Sequence, residues 1–494
     1  MVAIPPYDLL IRDATVYDGS GGPPRRADVA VRGDRIASPG EPAARAVREI
    51  DARGLALAPG FIDVHTHDDF AAVLHPEMGF KVQGGVTTVV VGNCGMGAAP
   101  WRVATAMAQA FHPRAALPQW EGFAGYLAQL DAEPPSCNVA ALVGHGTARA
   151  AAMGGDARAA TRDELDRMRG IVREGLDAGC FGLSTGLVYE PGRHASTEEI
   201  VALARELAGT GALYATHMRN EGTGLLDSVQ EAIEIGERAG VPVQISHHKA
   251  AGREAWGLVR ESLRLIEQAR ARGLDVTADQ YPYTAGSTVL AAVVANAERL
   301  GASGGSEVVI ASAPGHPEWE GQSLAELGTA WSIPAAQAAR RVLDAEGFSA
   351  TVVMHSMDER DVQTVMRHPT TMIGSDGIPT LSGKPHPRLY GTFARVLGHY
   401  ARDLGLLSLE EAVHRMTGLA AGKFGLRDRG AVREGALADL VLFDPARIAD
   451  VASYADPHHP PAGIEWVWVN GVAVVEEGRH TGARPGRALR RADL

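Results

Sequence analysis

The run Gly60-Phe61-Ile62-Asp63-Val64-His65-Thr66-His67 is an apolar stretch that ends in two histidines one residue apart. Side chains at i and i+2 of a strand share a face, so His65 and His67 can converge on one metal ion from a single strand end. Alone, the pair also fits two solvated histidines in a turn. Other apolar runs, however, close on groups of the same kind: Cys94 in Gly92-Asn93-Cys94-Gly95, His217 in Ala215-Thr216-His217, His247 in Ser246-His247-His248-Lys249, and Asp376 in Gly374-Ser375-Asp376-Gly377. A lone cysteine is usually a small buried hydrophobe, and Asp-Gly often just begins a turn. The glycines around Cys94 nevertheless let other groups approach it closely, and recurrence at strand ends favours ligands. Imidazole, thiolate and carboxylate together suit Zn²⁺ better than Mg²⁺ or Ca²⁺, which prefer all-oxygen shells.

These groups need a scaffold that gathers strand ends. Apolar runs occur at 61–67, 87–94, 138–145, 180–187, 212–217, 242–247, 274–283 and 371–376, separated by segments of helical pattern. Eight such runs alternating with helices predict an α/β fold, a (β/α)8 TIM barrel, whose C-terminal strand ends surround one mouth. Helix starts are signalled by Thr161-Arg162-Asp163-Glu164 and Ser196-Thr197-Glu198-Glu199, both of capping-box type. Residues 1–57 and 427–494 instead alternate in short-strand style and read as the two parts of one small β-sandwich. The barrel then occupies 58–426, with an insertion at about 284–350 that is too long for a plain loop and reads as a lid subdomain.

Composition narrows the function classes. Of 494 residues, 47 are Lys or Arg and 59 are Asp or Glu, a net charge of -12, and no basic cluster is interleaved with aromatics, so nucleic acid is not an expected partner. No apolar run reaches the length of a membrane span, and the first twelve residues lack a signal-peptide pattern. Three cysteines, an odd number in a long chain, point to reduced thiols and a cytoplasmic setting. The oligomeric state is not legible.

Taken together, the motifs carry a family resemblance. The chain resembles the amidohydrolase superfamily, and closely its N-acyl-D-amino-acid deacylase (D-aminoacylase) branch. The resemblance rests on His-Thr-His-Asp-Asp at 65–69, Gly-Val-Thr-Thr-Val at 85–89 leading to Gly-Asn-Cys-Gly, Ser-Thr-Gly-Leu-Val-Tyr-Glu-Pro-Gly at 184–192, Thr-His-Met-Arg-Asn-Glu at 216–221, Ser-His-His-Lys at 246–249, Ser-Asp-Gly at 375–377 and His-Pro-Arg at 386–388. Many dinuclear amidohydrolases bridge their metals with a carboxylated lysine at the end of strand four, but Cys180–Pro191 contains no lysine. In the deacylase branch a cysteine from strand two takes that place, and Cys94 matches it.

The resemblance implies zinc held tightly by Cys94, His217 and His247, with a weaker second site near His65, His67 and Asp376. It implies hydrolysis of an N-acyl-D-amino acid to a carboxylate and a free D-amino acid, with Asp376 accepting a proton from water and returning it to the leaving nitrogen. The preference for D over L substrates rests on the resemblance alone. A cation is needed for the substrate carboxylate; Lys249 and Arg388 are the candidates, joined through the resemblance by Tyr281 and Ser287. His145, His248 and Glu221 are expected to line or support the site. The segment 284–297 offers no second cation, so an apolar substrate side chain is expected. The alternatives are a cyclic-amide or hydantoin hydrolase, disfavoured by the missing lysine, and a non-catalytic scaffold, disfavoured by the intact set of strand-end groups.

Overall fold

The computed structural model describes residues 7–37, 45–112, 115–295 and 305–491. The parts of the expected sandwich at 1–6, 38–44 and 492–494, and of the insertion at 296–304, lie outside the described residues.

Eight parallel strands form the barrel: Phe61–Asp63, Val86–Val91, Asn138–Ala141 continuing into Val143–Gly144, Gly182–Gly186, Leu213–His217, Val243–Ile245, Val276–Gln280 and Thr371–Ile373. Each pairs in parallel with the next. The ring closes where the eighth strand meets the first: the Asp376 amide donates to the His65 carbonyl at 2.7 Å, and the His67 amide to the Gly377 carbonyl at 3.1 Å. A buried polar knot reinforces this seam. Lys81 Nζ donates to Asp63 (2.7 Å), Thr66 (2.9 Å) and Ser375 (2.8 Å), tying the ends of strands one and eight together.

Barrel strands are buried on both faces, which explains their near-continuous apolar runs; every residue of Val86–Val91 is buried. Ile62, Val64, Val90, Leu142, Leu213 and Met372 fill one interior cluster, to which Ala420, Ala421 and Phe424 of the helix Gly418–Phe424 contribute. The outer helices pack through amphipathic faces. Arg162–Ala178 begins with the expected capping box, Thr161 accepting from the Glu164 amide and Glu164 from the Thr161 amide. The second expected box forms only by half. Ser196 accepts from the Glu199 amide, but the Glu199 carboxylate turns away to His145 Nε2 (2.9 Å) and Arg149 Nε (3.0 Å), because two buried donors outcompete one exposed amide.

The two chain ends build one nine-stranded sheet, joined where Ala56–Pro59 pairs antiparallel with Leu440–Phe443. The sheet folds over on itself: Ile36 N donates to Ala436 O and Ala438 N to Asp34 O, each at 2.8 Å. Leu9, Ile11, Val29, Val31, Leu57, Leu440 and Leu442 form the core between the layers.

The insertion is a three-stranded antiparallel sheet with its own apolar core of Leu290, Val293, Ile310, Leu324, Val342 and Val352. It runs past the expected end at 350, because Thr351–His355 is its central strand, pairing with both Ala285–Val289 and Val308–Ser312.

Candidate metal centre

The strand ends deliver their polar groups to one point. Cys94 Sγ lies 3.3 Å from His65 Nε2, 3.5 Å from His247 Nε2 and 3.6 Å from His217 Nδ1, while His217 Nδ1 and His247 Nε2 are 2.9 Å apart. On the other side, Asp376 Oδ1 lies 3.5 Å from His65 Nε2 and 3.2 Å from His67 Nε2. All six residues are buried.

Placing them required an unusual backbone. Cys94, His247 and Asp376 all have positive φ, at 54°, 36° and 49°, although none is glycine. Such residues cost free energy and tend to gather at functional sites. Glycine clears the space around Cys94: a Cβ on Gly186 would meet the Cys94 carbonyl oxygen at 2.1 Å.

Zinc bound tetrahedrally at about 2.3 Å from sulfur and about 2.0 Å from nitrogen separates its sulfur and nitrogen ligands by about 3.5 Å. The Cys94 to imidazole spacings fit that figure. Electrostatics agree. Burial pushes the Cys94 thiol up, yet the imidazoles of His65, His217 and His247 pull it well below the usual thiol range, which favours a thiolate able to bind a metal ion. Burial works against protonation of His67, but its hydrogen bond to Asp376 and the neighbouring Cys94 raise it to about 9. The anions that draw protons onto these imidazoles are the ones a divalent cation would satisfy.

Two buried carboxylates stand behind the clustered imidazoles. Glu221 Oε1 is 2.9 Å from His247 Nδ1, and Asp279 Oδ1 is 3.3 Å from His65 Nδ1 while accepting the His247 amide at 2.7 Å. Carboxylates behind imidazoles fix the ring and its tautomer. Glu221 was expected near the site without a role. Asp279 was not expected at all, although it stands one residue from the end of the seventh strand, Val276–Gln280. His145 serves the Glu199 and Arg149 network, and His248 bonds Ser262 at 2.8 Å; neither reaches the ligand cluster directly.

The two expected substrate-binding cations, Arg388 and Lys249, both lie against the Tyr281 ring. Arg388 is buried, with Nη1 ion-paired to Asp376 Oδ2 at 2.9 Å and Nη2 donating to the Ser287 carbonyl at 3.1 Å; neither its Nε nor its Nη1 makes a hydrogen bond among the described residues. The guanidinium lies 4.5 Å from the Tyr281 ring centre. The Lys249 ammonium meets Glu221 Oε1 at 2.6 Å and the His247 carbonyl at 2.9 Å, a counter-charge to a buried carboxylate, and stands 5.7 Å from the Tyr281 ring centre, against the same ring as Arg388.

Tyr189, inside the Ser-Thr-Gly-Leu-Val-Tyr-Glu-Pro-Gly motif but not among the expected site residues, packs edge-on against His217 with ring centres 4.9 Å apart and bonds Thr288 of the insertion at 3.0 Å. It links the strand-end cluster to the insertion.

Comparison with known proteins gives the same picture. The amidohydrolase family model matches residues 48–264 and 257–475. A D-aminoacylase from Alcaligenes xylosoxydans xylosoxydans is 46% identical, covering 98% of both chains. The chain belongs to the D-aminoacylase branch of the amidohydrolase family. An N-acyl-D-glutamate deacylase from the same organism is 43% identical over 98% of this chain and 96% of its own. Among solved structures, the N-acyl-D-glutamate deacylase from Bordetella bronchiseptica, complexed with zinc and a phosphonate mimic of the tetrahedral intermediate, superposes with a TM-score of 0.90 at 40% identity, covering 98% of this chain and 99% of that one.

Proposed function

We propose that this protein is a zinc-dependent deacylase that hydrolyses N-acyl-D-amino acids, preferentially those with apolar side chains, to a carboxylate and a free D-amino acid. The observation that carries the reading is the position of Asp376, held between His67 of the ligand cluster and the buried Arg388. A carboxylate that can handle protons thus sits directly between a metal site and a cation able to bind a substrate carboxylate.

Cys94, His217 and His247 would hold one zinc, and His65, His67 and Asp376 a second, weaker one, with Cys94 adjoining both. Bound zinc makes hydroxide available near neutral pH and polarises the amide carbonyl. The chain supplies the rest. Burial raises Asp376, but Arg388 and the nearby imidazoles bring it well below the usual carboxylate range, so it is ionised and ready to accept. When a substrate carboxylate shares the Arg388 fork, the hold of that cation on Asp376 weakens and its basicity rises. Asp376 then takes the proton of the attacking water and delivers it to the amine nitrogen as the C–N bond breaks. The Arg388 Nε and the Tyr281 ring fix the amino-acid end.

The described lid residues that follow the seventh strand, Thr284–Ala295, bring no cation to the substrate side chain, which supports an apolar preference. A cyclic-amide substrate is disfavoured because the fourth strand and its loop lack a lysine to bridge two metals. The three cysteines are free and buried, which suits a reducing cytoplasmic setting, and no described helix is long and apolar enough to cross a membrane. The test is kcat/KM of the zinc-loaded protein for N-acetyl-D-leucine, its L enantiomer and N-acetyl-D-glutamate. Fast hydrolysis selective for D-leucine is expected. Hydrolysis of neither leucine enantiomer would overturn the reaction, and a preference for D-glutamate would overturn the side-chain assignment.

A further inference from the structure

In the sheet built by the chain ends, Leu440–Phe443 pairs antiparallel with Ile464–Val469. Such neighbours need only about two to five residues between them, yet the connection here is 444–463, and much of it lies against the barrel. Three of its side chains reach the end of the seventh strand and the loop and helix after the eighth. Asp450 Oδ2 accepts from the Tyr283 hydroxyl at 3.3 Å and from Arg395 Nη1 at 3.1 Å. Tyr454 packs edge-on against His386 with ring centres 5.0 Å apart, and His458 Nε2 donates to the Gly383 carbonyl at 3.0 Å. Glycine makes room for the approach: a Cβ on Gly391 would stand 2.5 Å from the Tyr283 hydroxyl oxygen and 2.8 Å from the Asp450 Cβ.

The stretches held in this way carry Arg388 and the ring it lies against. Arg395 Nε donates to the Pro282 carbonyl at 2.8 Å, and its guanidinium lies 4.9 Å from the Tyr283 ring centre. Asp450 and Arg395 thus fix the two residues that follow Tyr281, whose ring meets both Arg388 and Lys249. His386 donates from Nε2 to the Ala285 carbonyl at 2.9 Å and accepts the Arg388 amide on Nδ1 at 3.0 Å, so the backbone of Arg388 is tied to the same place. A solvated ion pair between two surfaces is worth little. The Asp450 side chain, however, is only 14% exposed, and both of its donors belong to the support of one ring.

We propose that Asp450 is a positioning residue of the deacylase: reaching from the sandwich, it holds the Tyr281 ring, through Pro282 and Tyr283, where that ring orients Arg388 toward the substrate carboxylate. The role rests on the deacylase reading above.

The experiment measures KM and kcat of the zinc-loaded full chain for N-acetyl-D-leucine in the wild type and Asp450→Ala. KM is expected to rise by about threefold or more, because a small displacement of a substrate-holding group is costly even when its cause lies far from the chemistry. KM does not depend on how much of the enzyme is folded. A variant harmed only in its folding therefore loses apparent kcat and keeps the wild-type KM. If Asp450→Ala does not accumulate as folded protein, Tyr283→Phe, which removes only the hydroxyl that Asp450 accepts and keeps the ring, takes its place with the same threshold. A smaller rise in KM overturns the proposal and leaves the deacylase reading intact. No hydrolysis by the wild type overturns both.

Discussion

Arg388 Nη1 lies 2.9 Å from Asp376 Oδ2, both residues buried, so the group assigned to move protons is ion-paired to the group assigned to hold the substrate. Binding and proton transfer are thereby coupled through one contact. Asp376→Asn keeps the size and most of the packing but cannot accept a proton. The variant should lose about a hundredfold or more in kcat, the range that general-base catalysis supplies. Zinc content measured by mass spectrometry should stay at one tightly bound ion, since Cys94, His217 and His247 are untouched. Full turnover would remove Asp376 from the mechanism.

Arg388→Lys tests the other half of the pair. Lysine keeps the charge but loses the planar fork, and one charge-assisted hydrogen bond is worth about 1.5–3 kcal/mol. KM for N-acetyl-D-leucine should rise by about tenfold to a hundredfold. The wild type should discriminate against the corresponding carboxamide, which lacks the negative charge, and the variant should discriminate less. An unchanged KM would mean that the carboxylate binds elsewhere.

Much of this site was legible because barrel strands write themselves as apolar runs that end in their functional residue; His65, Cys94, His217, His247 and Asp376 all stand at such ends. What the runs do not encode is direction. The positive φ of Cys94, His247 and Asp376 turns their side chains inward, and nothing in the residue types announces it. Pairings between distant segments were equally silent. Lys249 pairs with Glu221, 28 residues earlier, and neither residue gives a local sign of facing the other. The Glu199 carboxylate fitted a capping box by spacing, yet His145 and Arg149 claimed it. The central strand of the lid was missed because Thr351–His355 follows the helical segments directly, and only its two partners define where the subdomain ends.

Asp279 is the residue that spacing alone left out, and its position makes a separate prediction. It stands 3.3 Å from the His65 imidazole as an ion-pair partner and accepts the His247 backbone amide at 2.7 Å. Asp279→Asn removes the charge that orients both ligands without altering either. Metal affinity should weaken by about tenfold to a hundredfold, the usual consequence of losing such a partner, as read by competition with a zinc chelator. Affinity equal to that of the wild type would show that the ligands are held by their backbone alone.

Lys423, far from the metal in sequence, predicts an unusual pH response of stability. Its side chain is 2% exposed, and burial pulls it from 10.5 down to about 8, despite Asp275 Oδ2 at 3.1 Å. Below about pH 8 both the folded and unfolded chains hold this proton and its contribution is flat. Between about 8 and 10.5 the unfolded chain keeps a proton that the folded protein has released, so the folded state gains stability as pH rises. A gap of that size corresponds to at most about 3 kcal/mol. Urea unfolding of the wild type and Lys423→Met should therefore give a stability difference that is constant below pH 8 and then moves in favour of the wild type up to pH 10.5. Parallel pH profiles across that window would show that Lys423 keeps an ordinary lysine pKa in the folded protein.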